Sequence, residues 1–120
     1  MTKPILCLDF DGVIHSYTTK YIAPDVVNDP PTPGTREALE RYSEFFRLEI
    51  FSSRSHQLGG RNAMFEWCRD HFGYDFTTQQ LHFPLHKPPA LVTLDDRAIT
   101  FTGQWPDLPS LRAFRPWNKK

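Results

Sequence analysis

Short apolar runs separated by polar segments form the main pattern along this chain. Each run is a few residues long and rich in Leu, Ile, Val and Phe, a composition typical of strands buried in a parallel sheet. The runs predicted as strands are Ile5–Leu8, Leu48–Phe51, Leu81–Phe83, Leu91–Leu94 and Ala98–Phe101. Longer segments separate the first three of them, which leaves room for helices.

Two of these longer segments carry apolar residues at helical spacing. The first helix is predicted to begin with Thr32 as its N-cap and Pro33 in its first turn, and to run to about Phe46. The second covers about residues 58–72, and Gly73 is expected to end it. Strands that alternate with helices predict an α/β layer fold with a mostly parallel sheet.

The composition fits a single globular domain over residues 1–120. Hydrophobic residues make up 39% of the chain and aromatic residues 14%, which is enough for a core of its own. The formal net charge is zero, so no general attraction to nucleic acid or membranes is expected. Cys7 and Cys68 fall in a predicted strand and a predicted helix and indicate no disulfide framework. Without a signal peptide or a long apolar run, a cytoplasmic protein is expected.

Two carboxylates follow the first predicted strand. Asp9 and Asp11 are two residues apart, so their side chains point to the same side, and Gly12 permits a sharp turn directly afterwards. Open α/β sheets place their chemistry at the carboxyl ends of strands. Two acids crowded there repel each other unless a cation or a proton intervenes. The pair predicts a metal site, an acid–base pair or both, and an Asp that caps a turn is the structural alternative.

Two further predicted strands end in polar residues, and right-handed connections bring such ends to one edge of the sheet. Ser52 and Ser53 follow the second strand, Asp95 and Asp96 follow the fourth, and Lys87 lies in the loop before it. This combination suits a phosphoryl group. Carboxylate oxygens bind Mg²⁺, and the metal and the Lys neutralise charge on the group that is transferred.

Four segments resemble, in the same order, the four motifs of the haloacid dehalogenase-like (HAD) hydrolases. They are Asp9-Phe10-Asp11-Gly12-Val13, Ile50-Phe51-Ser52-Ser53-Arg54, Lys87 and Leu94-Asp95-Asp96. The resemblance spans residues 5–101, most of the chain. It implies a Rossmann-like three-layer fold and a Mg²⁺-dependent phosphatase that hydrolyses a phosphate monoester through an aspartyl-phosphate.

The resemblance also implies a role for each matching residue. Asp9 is implied as the nucleophile and Asp11 as the general acid and base, with the backbone carbonyl of Asp11 on Mg²⁺. Ser52 is implied to bind a phosphoryl oxygen, and Lys87 to hold Asp9 and the phosphate. The implied metal ligands are Asp9, Asp11, Asp95 and Asp96. An Asp at the position of Asp11 is typical of the phosphatase branch of the family.

Side chains close to these motifs are candidates for contact with the substrate. They are His15, Tyr17, Ser53 and Arg54. His15 and Tyr17 belong to a predicted flap over the strand ends at about residues 13–22. Arg54 is equally suited to a structural ion pair, and Arg97 is predicted to be structural. Since Ser53 adjoins Ser52, either serine fits the phosphate contact, and Ser52 is preferred because it follows the apolar run directly.

The segments between the motifs are too short for a cap domain, so an open site is expected. An open site suits a large substrate such as a nucleic-acid end or a phosphoprotein, or a nucleotide, whereas a small sugar phosphate needs a lid from a neighbouring subunit. The predicted tail at about residues 103–120 is solvated or, alternatively, contacts nucleic acid. Its aromatic and basic residues include Arg112, Arg115, Trp117, Lys119 and Lys120. The oligomeric state is left open.

Two other classes of protein fit part of this pattern. A catalytically idle HAD-like domain binds its ligand without turnover. A response-regulator receiver also combines an acidic pair, a phosphorylated Asp and a Lys. Its phosphorylated Asp, however, ends a middle strand, whereas the strand before Ser52 ends without an acid. A phosphatase is therefore the main interpretation of the sequence.

Overall fold

One parallel sheet with helices makes up the fold in the computed structural model, which describes residues 2–118. The strands within these residues are β1 (Ile5–Leu8), β2 (Arg47–Ile50), β3 (Leu81–His82) and β4 (Val92–Leu94). The helices are α1 (Thr35–Ser43), α2 (Gly60–Phe72), α3 (Tyr74–Gln80) and α4 (Leu108–Arg112), with a 3₁₀ turn at Ser53–His56. The strand order is β3-β2-β1-β4, and every pair is parallel, which confirms the predicted α/β class.

The first strand and the second helix agree closely with their predictions, but α1 is shorter than expected. Its N-cap is Gly34 rather than Thr32. The Thr32 N–H donates to the Ile14 carbonyl at 2.9 Å, so this residue is held by the loop before the helix. At the other end, α1 stops at Ser43, and a turn leads directly into β2.

Three features of the second half differ from the sequence-based expectation. The helix α3 begins directly after Gly73, where only the end of α2 was predicted. The helix α4 lies in the predicted tail. The predicted strand Ala98–Phe101 is absent from the described sheet, and Ile99 and Phe101 are exposed at 52% and 56%. None of the helices within residues 2–118 combines the length and apolar character needed to cross a bilayer.

The strand register places the apolar core on one side of the sheet. Leu6 is opposite Leu48, which in turn is opposite Leu81, and all three belong to the same buried cluster. The helices contribute Leu39 from α1 and Met64, Trp67, Cys68 and Phe72 from α2 to that cluster. The other face of the sheet carries Cys7, Glu49, His82 and Thr93. Cys7 is also buried on that face. The all-parallel sheet with helices is compatible with the predicted Rossmann-like fold, and its three-layer arrangement stays a prediction.

The segment predicted as a flap is folded onto the body of the protein. His15 forms isolated bridges with Asp11 and with Pro31, and its side chain is buried. Farther along the segment, the Thr19 N–H donates to the Asp29 carboxylate at 2.7 Å. These contacts hold residues 13–19 against the loop that precedes α1.

The start of α2 lies directly on the 3₁₀ turn, and Gly60 permits this close approach. A Cβ atom at this position would overlap with the backbone carbonyl of Arg54. Gly60→Ala should therefore lower the free energy of unfolding by about 1–3 kcal/mol, because the turn must shift. Urea denaturation measures this change. Asn62→Ala, at an exposed position of the same helix, is the control and should change the stability by no more than about 0.5 kcal/mol. Equal effects of the two substitutions would contradict the packing argument.

Candidate functional site

The carboxyl ends of β1, β2 and β4 meet at one edge of the sheet. The Asp9 N–H donates to the Leu94 carbonyl at 2.9 Å, and the Phe51 N–H donates to the Leu8 carbonyl at 3.0 Å. The residues after these strands surround a cavity of about 250 Å³. Its lining residues are Asp9, Asp11, Tyr17, Ser52, Ser53, Asp96 and Arg97. The structure thus brings together residues from three of the four predicted motifs.

Three carboxylates form the part of this site that suits a metal ion. Asp9, Asp95 and Asp96 each offer one oxygen, and these oxygens lie within 4.8 Å of one another. The Oδ1 atom of Asp96 is buried and has no hydrogen-bond partner within residues 2–118. A buried oxygen without a partner costs free energy, and a hard cation such as Mg²⁺ would satisfy it with the carboxylate ligands that it prefers. The donor set therefore fits the predicted divalent cation.

Crowding of these carboxylates changes the protonation of Asp9. Burial raises the pKa of Asp9 from 3.8 to about 8, and a hydrogen bond with Asp96 and the charges of Asp95 and Asp96 act in the same direction. The Phe10 N–H, which donates to Asp9 Oδ1 at 2.8 Å, opposes this rise. Without a cation, Asp9 therefore keeps a proton at neutral pH.

Gly12 makes room for the carboxylate of Asp96. Its φ angle is 86°, and a Cβ atom there would overlap with the carboxylate of Asp96. The C-terminal residues hold the same loop from outside: the Trp117 Nε1–H donates to the Gly12 carbonyl at 2.7 Å, and Asn118 Nδ2 donates to the Ser16 carbonyl at 3.2 Å. The described part of the predicted tail is thus attached beside the site. Two of its basic residues, Lys119 and Lys120, lie outside the described residues.

Asp11 is held in a different way from Asp9. The Arg54 Nε–H donates to Asp11 Oδ2 at 2.8 Å, and Nη2 donates to Oδ1 at 3.2 Å. His15 Nδ1 lies 2.8 Å from the same Oδ1. Burial raises the pKa of Asp11, but hydrogen bonds from His15 and Arg54 and the Arg54 charge outweigh it, and the net result is a lowered pKa. Asp11 is therefore kept ionised.

The partners of Asp11 are buried, in contrast to their predicted contact with substrate. Arg54 is 1% exposed and His15 is 2% exposed, and neither lines the cavity. Arg54 Nη1 donates to the carbonyl oxygens of Ala23, Pro24 and Val26 at 2.9–3.0 Å. The Asp29 N–H donates to His15 Nε2 at 3.1 Å, which places the proton of a neutral ring on Nδ1, facing Asp11. The burial of His15 differs from its expected place in contact with substrate, whereas Arg54 forms the ion pair that was its alternative interpretation.

The serines after β2 also line the cavity. Ser52 is buried, and its Oγ accepts a hydrogen bond from the Arg54 N–H at 2.9 Å, which caps the 3₁₀ turn. Its hydroxyl proton remains able to donate into the cavity. Ser53 is exposed and lines the same cavity. Contact of either serine with a phosphate therefore stays a prediction.

The two cations near the site do not occupy the positions that the sequence suggested. Lys87 is exposed and is not among the residues that line the cavity. Arg97 was predicted to be structural, but it lines the cavity together with Asp96. The one signal for Arg97 in the sequence is its place directly after the acidic pair at the end of β4.

No protein-family model, curated protein or solved structure matches this chain. The interpretation of the site therefore depends on its own residues and their geometry.

The clearance at Gly12 predicts a specific effect on metal binding. Gly12→Ala should weaken Mg²⁺ binding by about tenfold or more, since the new methyl group displaces the Asp96 carboxylate. Gly34→Ala is a matched control, because Gly34 has a similar φ angle of 83° but nothing within 4 Å of the added atom. Mg²⁺ binding by both variants is measured from the rise in melting temperature that Mg²⁺ causes. Equal loss of Mg²⁺ binding in both variants would show that backbone strain, and not the contact with Asp96, is responsible.

The raised pKa of Asp9 predicts how pH affects the metal-free protein. The folded-state pKa is about 8 and the ordinary value is 3.8, so the folded protein holds this proton more tightly than the unfolded chain does. The contribution of this proton to the free energy of unfolding is fully present below the ordinary pKa of an aspartate. It is lost as the pH rises through the folded-state pKa of about 8. In chelator, the melting temperature of the wild type should fall relative to Asp9→Asn as the pH rises from about 4 to about 8. Parallel pH profiles of the two proteins would contradict the assignment.

Proposed function

We propose that this protein is a Mg²⁺-dependent phosphatase that hydrolyses phosphate monoesters through a covalent intermediate on Asp9. The observation that carries the proposal is the buried Asp96 Oδ1, which has no hydrogen-bond partner within residues 2–118, on a side chain that offers one oxygen within 4.8 Å of oxygens of Asp9 and Asp95. Two of these carboxylates, Asp9 and Asp96, line one cavity with Ser52 at the ends of parallel strands. The order of the four HAD-like motifs along the chain supports the same assignment.

In this mechanism an Asp9 oxygen forms a bond to phosphorus while the bond between phosphorus and the leaving oxygen breaks. Asp9, Asp95 and Asp96 would hold Mg²⁺, which would supply positive charge that favours ionised Asp9 and stabilises the transferring group. The Ser52 hydroxyl donates to a phosphoryl oxygen. Water then attacks phosphorus and loses a proton to a base, and the bond between phosphorus and Asp9 breaks, which releases phosphate. Asp11 is the proposed proton carrier in both steps.

The environment of Asp11 affects the two steps differently. A carboxyl group with a lowered pKa is a weak base, and at neutral pH it is rarely protonated, so it seldom has a proton to donate to a leaving oxygen. We therefore expect the first step to favour esters whose leaving groups have a low pKa. Esters whose leaving groups have a higher pKa need a proton donor. A proton on His15 Nδ1, which lies 2.8 Å from Asp11 Oδ1, is the nearest to this carboxylate.

The proposed substrates follow from the openness of the site. Between Asp11 and Ser52 the chain forms loops and α1, and between Ser53 and Lys87 it forms the 3₁₀ turn, α2 and α3. Neither segment contains a separate domain, in line with the proposed absence of a cap. A nucleic-acid end, a nucleotide or a phosphoprotein suits such a site. A sugar phosphate is the alternative if a neighbouring subunit provides a lid.

A panel of phosphate esters with Mg²⁺ tests the proposal. It should include aryl phosphates, 3′- and 5′-phosphorylated oligonucleotides, mononucleotides, a phosphopeptide and sugar phosphates. Asp9→Asn should reduce kcat at least about 10³-fold, because the nucleophile is lost, while excess chelator should abolish turnover by the wild type. Asp70→Asn, an exposed carboxylate on α2, is the matched control and should retain full activity. Turnover by Asp9→Asn at the wild-type rate would exclude the covalent mechanism.

The ion pair of Asp11 favours a second candidate, a phosphate-binding domain without turnover. Arg54 and His15 occupy the carboxylate that the reaction requires as an acid. Asp11→Asn separates the two candidates. For a phosphatase it should lower kcat by about 10²–10⁴-fold, with the smallest loss for leaving groups of low pKa. If the wild type binds phosphate but hydrolyses none of the esters, the binding domain is the correct assignment.

A further inference from the structure

Arg97 has an unusual position for a residue that the sequence suggested was structural. It follows β4 in the turn that also carries the metal-binding carboxylates, and its N–H donates to Asp95 Oδ1 at 2.8 Å. That hydrogen bond fixes the backbone of the turn. The Arg97 side chain is exposed and lines the cavity together with Asp9, Ser52 and Asp96.

The guanidinium group of Arg97 is not engaged in an ion pair within residues 2–118. Four other arginines of the described chain have carboxylate partners, namely Arg36, Arg47, Arg54 and Arg69, so Arg97 belongs to the group whose charge is not offset by a neighbouring acid. Arg97 is also the one cationic side chain among the described residues that line the cavity. Burial raises the pKa of Tyr17, and the Arg97 charge opposes that rise, so Arg97 acts on a second residue of the same cavity.

The negative charge of the neighbouring carboxylates explains what the positive charge of Arg97 would do. When ionised, Asp9, Asp95 and Asp96 carry three negative charges, and one divalent cation offsets two of them. Asp11 is already neutralised by Arg54. A phosphate dianion would then enter a site with one remaining negative charge, which opposes binding. The positive charge of Arg97 removes this excess.

Lys87 is the competing source of positive charge. It is exposed, lies outside the cavity lining, and forms no ion pair with Asp9 in the described part of the chain. Its charge lowers the pKa of Cys7, which burial raises, and therefore acts on the strand before the site. The cation that the structure places in the cavity is Arg97.

We propose that Arg97 binds the phosphate group of the substrate, the role that the sequence motif gives to Lys87. The inference rests on the proposed function, since it names a substrate-binding residue of the same site. A guanidinium group presents parallel N–H donors that match two phosphate oxygens, and its charge strengthens both hydrogen bonds. Together with Ser52, which lines the same cavity, Arg97 would hold the phosphate at Asp9.

Calorimetric titration with inorganic phosphate at saturating Mg²⁺ tests the proposal without relying on turnover. Arg97→Gln should weaken phosphate binding by about 10- to 100-fold, the usual loss for a charged hydrogen bond. Arg97→Lys should recover part of the affinity, because it restores the charge but not the paired donors. Arg112→Gln, which removes an exposed cation from α4, is the matched control and should bind phosphate as the wild type does.

Mg²⁺ affinity separates a role in phosphate binding from a structural one. Arg97→Gln removes a positive charge near the carboxylates, so Mg²⁺ should bind to this variant as tightly as to the wild type or more tightly. If the substitution disrupted the turn instead, Mg²⁺ binding would weaken and the melting temperature would fall. Phosphate binding within about twofold of the wild type in Arg97→Gln, or a larger loss in Lys87→Gln, would overturn the proposal. So would a wild type that binds no phosphate.

The same measurements distinguish this inference from the proposed function. If the wild type binds phosphate through Arg97 but hydrolyses no ester of the panel, the phosphatase assignment fails and the assignment of Arg97 stands. If the wild type hydrolyses esters while Arg97→Gln keeps its phosphate affinity and KM, the phosphatase assignment stands and that of Arg97 fails.

Discussion

The buried ion pair between Arg54 and Asp11 connects the segments on which the site depends. Asp11 belongs to the loop after β1, and Arg54 belongs to the 3₁₀ turn after β2. Through Nη1, Arg54 also holds the carbonyl groups of residues 23–26, and its guanidinium lies 5.0 Å from the ring centroid of Tyr21. Removing one partner of a buried ion pair leaves an uncompensated charge and typically lowers the free energy of unfolding by about 3–5 kcal/mol. The relative positions of the two strand ends are therefore fixed by charge as well as by backbone pairing.

This ion pair also explains why two aspartates so close in sequence differ in protonation. Asp9 faces other carboxylates and its pKa is raised, whereas Asp11 faces Arg54 and His15 and its pKa is lowered. Such opposite shifts separate the tasks of neighbouring acids in an active site. A nearby cation would favour the ionised form of Asp9, whereas Asp11 already has the counter-charge of Arg54. The two carboxylates therefore differ in how strongly their charge depends on a further cation.

The parts of the fold that local pattern determines were predictable. The apolar run Ile5–Leu8 and the helix that stops at Gly73 depend on neighbouring residues, and both agree with the structure. The meeting of Asp9, Ser52 and Asp96 followed from strands that run parallel. In contrast, the partner of Asp11 is 43 residues away, and no local signal distinguishes a buried Arg54 from a solvated one. The burial of His15 depends equally on distant contacts, with Trp67 against its ring and Asp29 at its Nε2.

The attachment of the C-terminus at Gly12 has a practical consequence for handling the protein. Trp117 donates a hydrogen bond to the Gly12 carbonyl, so a group attached after the chain is tethered within a few residues of the loop that follows Asp11. The start of β1 lies at the other end of the parallel strands, away from that edge. An affinity tag or fluorescent fusion at the N-terminus leaves the entrance clear. A polyhistidine tag at the C-terminus would bring metal-binding imidazoles to the carboxylates whose own ion is to be measured.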